Sequence, residues 1–121
     1  MSFDDLPVFD VEQLVGVLES DDTAVLRSFY ELFLKQLNEL QQALSSPHQP
    51  MVIADLQMLA HKFKSSAKAV GAMRLGQQME ALEAICSQPQ PVGVESQIGA
   101  LRRTVEASRA ALHAWLVAHP V

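Results

Sequence analysis

The sequence predicts an all-α fold, an antiparallel up-and-down four-helix bundle with a short additional N-terminal helix. Three observations lead there. Prolines stand at positions 7, 47, 50, 89, 91 and 120, leaving long proline-free stretches in which a helix can run without losing a backbone donor. Within each stretch the apolar residues recur at alternating three- and four-residue steps, the period of one helical face. No stretch alternates with period two, and β-branched residues are sparse, so a sheet has little support.

A short opening helix is expected over 11–19 through Leu14, Val15 and Leu18, with Asp10 as its cap. The next, over 22–45, carries Leu26, Phe29, Phe33, Leu37, Leu40 and Leu44 on one face behind the candidate caps Asp21 and Asp22. A helix over 51–70 follows through Ile53, Leu56, Ala60, Phe63, Ala67 and Val70, and Gly71 supplies the left-handed stop. Residues 72–87 place Leu75, Met79, Leu82 and Cys86 together before Pro89 and Pro91 end the pattern. The last helix, over 92–119, keeps Val94, Ile98, Leu101, Val105, Leu112 and Trp115 in step, with Ser108 as one polar interruption. Connections of a few residues force antiparallel neighbours, which gives the bundle. Gly16, Gly76 and Gly99 each weaken a helix by roughly 1 kcal/mol against Ala; they either mark close helix contacts or are simply tolerated.

A chain of 121 residues is expected to form one domain, 1–121, that buries roughly two-thirds of the surface its unfolded form exposes. Hydrophobic residues at 49% and charged ones at 19% exclude intrinsic disorder. No apolar run reaches the ~18 residues of a membrane span. The opening MSFDDLPVFD has acids where an export signal has basic residues, so a cytoplasmic location is expected. Cys86, the one cysteine, excludes a disulfide framework and thiolate-rich zinc sites and reads as a small core residue. The net charge of −5 argues against nucleic acid as a partner. Yet Lys62, Lys64, Lys68 and Arg74, four of the nine basic residues, fall between Asp55 and Glu80 with no acid among them. A basic patch is expected on an acidic protein.

That patch coincides with Ala60-His61-Lys62-Phe63-Lys64-Ser65-Ser66-Ala67-Lys68-Ala69-Val70-Gly71-Ala72. At about 100° per residue the apolar arc of this helix is centred roughly 130° to 140° from His61, so the histidine points away from the core. Gln57, Lys64, Ser65 and Lys68 fall within about 60° of it. Imidazole is a nucleophile near neutral pH, and ammonium groups one turn away can balance the charge of a transferred phosphoryl group. The plain alternative is an exposed histidine among ordinary surface lysines, and composition and spacing alone leave both readings open.

AHKFKSSAKAVGAMRL, followed by MEALE, resembles the signature of histidine phosphotransfer (HPt) domains. The family pattern is alanine and the phospho-accepting histidine, a variable residue, an apolar residue, lysine, a small cluster, then Gly-Ala with leucine three residues on. Ala60, His61, Phe63, Lys64, Ser65, Ser66, Gly71, Ala72 and Leu75 fill it, with Leu82-Glu83 where the family often has Leu-Glu. The resemblance covers nearly the whole chain, since the family fold is a four-helix bundle with its histidine exposed midway along a helix. One departure is Ser65, where the family usually has glycine. It leaves the partner's access slightly less open and is expected to be tolerated; its hydroxyl could bond the imidazole or the phosphoryl group, though a helical serine more often bonds back to its own backbone.

The resemblance implies that His61 is the phospho-acceptor, that Lys64 stabilises phosphoryl charge, and that Gln57, Lys62, Ser65, Lys68 and Arg74 form the docking surface, with Gln77 or Gln78 added from position. Glu83 falls where some members place a polar residue near the histidine and is a candidate for orienting it; the alternative is a solvated helix glutamate. The implied partners are receiver domains, one of a hybrid sensor histidine kinase and one of a response regulator, met by a monomer. The chain would bind no cofactor, Mg2+ being expected in the partner receiver, and it has no Walker-type glycine loop for ATP. Competing readings are a metal site, a sensor-kinase dimerisation domain and a non-catalytic helical-bundle adaptor using the same surface. His48, His61, His113 and His119 show no i, i+4 pair and no carboxylate set for a metal. A dimerisation domain would be a two-helix hairpin beside an ATP-binding domain.

Overall fold

The computed structural model describes residues 6–45 and 52–120. Among them are five helices and no strand: α1 (Val11–Leu18), α2 (Thr23–Leu44), α3 (Ile53–Ala69), α4 (Met73–Cys86) and α5 (Val94–Ala118). The expected start at Met51, the joints Pro47 and Pro50, and His48 lie outside the described residues.

The caps fall where the sequence places them. Asp10 Oδ1 accepts from the Glu12 amide at 3.1 Å, and Asp22 Oδ1 from those of Ala24 at 2.9 Å and Val25 at 3.3 Å; such a cap stabilises a helix by about 1 kcal/mol. Asp22, not Asp21, starts α2. Gly71 ends α3 at φ 93°, and the Ala72 amide reaches back to the Ala67 carbonyl at 2.8 Å, a left-handed stop that a residue with a Cβ enters only with strain. A Cβ here would also collide with the Asp10 carbonyl.

That contact belongs to a strap. Residues 6–10 cross the α3–α4 turn, where the Asp10 amide donates to the Gly71 carbonyl at 2.7 Å and the Arg74 amide to that of Pro7 at 3.1 Å. Because α4 has no capping side chain, the Pro7 carbonyl satisfies one of its first-turn donors.

The helices close around one apolar core. Leu14, Leu37, Leu56, Leu75, Met79, Leu82, Leu101 and Leu112 are all essentially inaccessible. Arg27 near the start of α2 donates to the carbonyls of Leu116 at 2.7 Å and His119 at 3.0 Å near the end of α5, while Arg102 near the start of α5 donates to the Leu44 carbonyl at the end of α2. The two helices are therefore antiparallel, and each binds orphan carbonyls at the other's C-terminus.

One core position differs from the expected stripe. Phe29 is 42% exposed, and Tyr30 takes the buried place at 0%. Steps of three and four from Leu26 both lead on to Phe33, and aromatic packing decides between them. Tyr30 stands edge-on to Phe9 at 4.9 Å and to Trp115 at 4.8 Å, favourable geometries for aromatic pairs. Ser108 is buried within α5, as the interruption in its stripe requires.

Candidate functional site

The site is built on the outer face of α3. Burial of Leu56, Ala60, Phe63 and Ala67 fixes the rotation of the helix, and the rotation turns His61 outward with its side chain 71% exposed. Small residues then let α4 approach. Gly76 is buried, and a Cβ there would stand 2.6 Å from Lys68 Cγ and 3.5 Å from the Lys64 carbonyl oxygen, so this glycine marks a close helix contact. Gly16 has nothing near it and Gly99 only an arginine tip at 4.0 Å; both are tolerated without such a role.

Close approach brings two α4 carboxylates onto the α3 face. Glu83 bridges: Oε2 lies 2.5 Å from His61 Nδ1, and Oε1 accepts from Lys64 Nζ at 2.5 Å. One turn away, Lys68 Nζ donates to Glu80 Oε2 at 2.9 Å. The hydrogen bond from Lys64 holds the Glu83 carboxyl below the usual carboxylate range, and His61 adds to it against partial desolvation. Lys68 lowers Glu80 likewise, by hydrogen bond and by charge. The lowered pKa favours the carboxylate form of Glu83, whose Oε2 can accept a hydrogen bond from a protonated Nδ1. That pairing assigns the tautomer from its partner and leaves the Nε2 lone pair facing outward.

The remaining sequence-selected residues are dispersed around this centre. Gln57 is half-buried and lines the groove beside His61. Lys62 is exposed, its Nζ 5.6 Å from the Phe63 ring centroid, and Ser65 is exposed. The serine that bonds back to its own helix is Ser66, whose hydroxyl donates to the Phe63 carbonyl at 3.2 Å. Arg74 is half-buried at the α3–α4 turn and donates from Nε to the Leu6 carbonyl at 3.1 Å, tying down the strap. Gln77 is half-buried, whereas Gln78 is 3% exposed and belongs to the interior.

The expected basic stripe is thus largely compensated, because Lys64 and Lys68 meet carboxylates from the next helix. Sequence reasoning missed Glu80, whose only signal is its three-residue spacing from Glu83 on one face of α4. It also missed Met58, which lines the groove with His61 and is 71% exposed. Cys86 is buried as expected, and burial pushes its thiol up. Among the described residues no three His, Cys, Asp or Glu side chains gather into a metal-binding group, and no helix is long and apolar enough to cross a membrane.

The site is an imidazole paired at one nitrogen with Glu83, its other nitrogen without a hydrogen-bond partner among the described residues, exposed on the outside of a helical bundle. Comparison with protein families carries this further: the chain matches the Hpt domain family over residues 24–111, more than half its length, and belongs to that family. Hpt domains act in phosphotransfer within two-component signalling, where they interact with receiver domains of kinases and response regulators. Comparisons with curated proteins and with solved structures gave no match.

Proposed function

We propose that the protein is a phosphorelay intermediate in which His61 takes a phosphoryl group from the aspartyl phosphate of a hybrid kinase's receiver domain and passes it to the aspartate of a response regulator. The observation that carries this reading is the Glu83 bridge, with His61 Nδ1 and Lys64 Nζ each 2.5 Å from its oxygens. In the accepting step the Nε2 lone pair attacks phosphorus, the bond from phosphorus to the aspartyl oxygen breaks, and the aspartate leaves as carboxylate. The Nδ1 proton, held toward Glu83, stabilises the positive charge that develops on the ring. In the donating step the N–P electron pair returns to the imidazole while phosphorus binds the next aspartate, so the relay is reversible. Lys64 can turn from Glu83 toward the phosphoryl oxygens and balance their charge. The divalent cation that phosphoryl transfer calls for, Mg2+, belongs to the receiver's acidic pocket in this reading, and Gln57, Lys62, Ser65, Lys68 and Arg74 border the docking surface. A monomer in the cytoplasm completes it.

Transfer of radiolabelled phosphoryl from purified phosphorylated receiver domains, run beside His61→Gln, tests the proposal. Acid-labile label is expected on the wild type and none on the variant, with the helical circular-dichroism spectrum unchanged. An adaptor would bind its receiver equally well in both forms and take up no label, and that result overturns the relay.

A further inference from the structure

The two flanks of His61 are not alike. Toward α4 the charges are already satisfied, Lys64 by Glu83 and Lys68 by Glu80. A groove of about 720 Å³ opens beside the imidazole, bounded toward α4 by Glu83 and lined on the other flank by Asp55, Met58, Leu59 and Lys62. Met58 lies one turn before His61, about 60° around the helix, and is 71% exposed. Among the described residues it is the most exposed large apolar side chain on any helix, ahead of Val117 at 67% and Leu32 at 57%, and the flexible thioether adapts to whatever surface meets it. Lys62 is the one basic residue of the 62–74 run with neither a carboxylate nor a backbone carbonyl as partner among the described residues; its ammonium stands over Phe63.

We infer that receiver domains dock asymmetrically, on the Met58–Lys62 flank of α3, with Met58 as the apolar anchor and Lys62 as the steering cation. This rests on the phosphotransfer reading and deepens it by naming where specificity is set. The partner chemistry follows from the reaction: a receiver presents its phosphorylated aspartate from an acidic pocket, so a nearby unpaired ammonium attracts it. An apolar surface bordering that pocket would cover Met58 and Leu59, giving the dry centre and charged rim of a specific but separable interface. The lysines facing α4 would have to break existing ion pairs to do the same work.

The test is single-turnover transfer between the protein and a receiver phosphorylated with acetyl phosphate, with receiver concentration varied. Met58→Ala should raise the half-saturating concentration about tenfold and leave the saturated rate within about twofold, while Met58→Leu restores affinity. Lys62→Ala should slow association at low salt, the difference from wild type closing as salt screens it. Wild-type transfer with unchanged half-saturation in Met58→Ala overturns the docking proposal alone. Failure of wild type to exchange label with any receiver overturns the phosphotransfer reading and the docking proposal together.

Discussion

Where α2 meets α5, large side chains do the packing: Tyr30, Phe33, Leu37 and Leu40 against Leu101, Val105, Leu112 and Trp115, closed at both ends by arginines on backbone carbonyls. Where α3 meets α4, the buried positions include Ala60, Ala67, Ala72 and Gly76, and the outer rim is laced by Glu83 and Glu80 to His61, Lys64 and Lys68. The difference follows from reach. A carboxylate can clamp an imidazole on a neighbouring helix only if the backbones come close, and small residues permit that at the cost of apolar burial. The aromatic pair restores the burial elsewhere. The charged rim thus lies on α3–α4, whereas the apolar core draws on every helix, Leu56, Phe63, Leu75, Met79 and Leu82 included, and substitutions in core and rim can be told apart.

The largest expected effect comes from Tyr30→Ala. Its ring is fully buried between Phe9 and Trp115, so truncation should lower stability by about 3–5 kcal/mol in urea unfolding. Folded variant at low temperature should still transfer phosphoryl at the wild-type rate. A transfer defect in the folded fraction would break the division. Lys64→Ala is the reverse experiment. It should slow transfer by about ten- to a hundredfold, or roughly 1.4–2.8 kcal/mol of transition-state stabilisation, and shift unfolding by under about 1 kcal/mol, as partly exposed ion pairs do. An unchanged rate would remove Lys64 from the chemistry and leave it a rim contact of Glu83.

The same division explains what could be read from the sequence. Helix ends fell within two residues of expectation in the described parts because proline, Asp10, Asp22 and Gly71 act locally. The outward turn of His61 was legible too, since periodicity within α3 alone fixes it. The partner of that histidine was legible only as a candidate, Glu83, with a solvated glutamate as the open alternative. Glu83 lies 22 positions away, and whether it clamps His61 or faces water depends on the register and spacing of α3 against α4, which Gly76 sets by an absence of side chain. Charge counting failed for a related reason. Lys64, Lys68 and Arg74 looked like one stripe in the chain, but α4 and the N-terminal strap supply their partners from elsewhere in it. Likewise Phe29 and Tyr30 fit the period equally well until Phe9 and Trp115 are in place.

The smallest effect probes the aromatic pair from inside. The Tyr30 hydroxyl is buried with no hydrogen-bond partner among the described residues, and burial, with the Asp10 charge adding, pushes its pKa up to about 12. A tyrosine in the unfolded chain ionises near 10. The unfolded state therefore loses its proton first as pH rises, and stability present below pH 10 drains away as the folded pKa is approached, by about 1 kcal/mol near pH 11. Tyr30→Phe removes the group, so its unfolding free energy should lose that alkaline slope while matching or exceeding wild type at pH 7, because no unsatisfied hydroxyl remains inside. An equal alkaline slope in both proteins would mean that the hydroxyl is not held away from water and that the α2–α5 packing is looser than its ring contacts imply. Transfer through His61 should be the same in both, since Tyr30 lies in the core between Phe9 and Trp115 while the His61–Glu83–Lys64 cluster lies on the outer face.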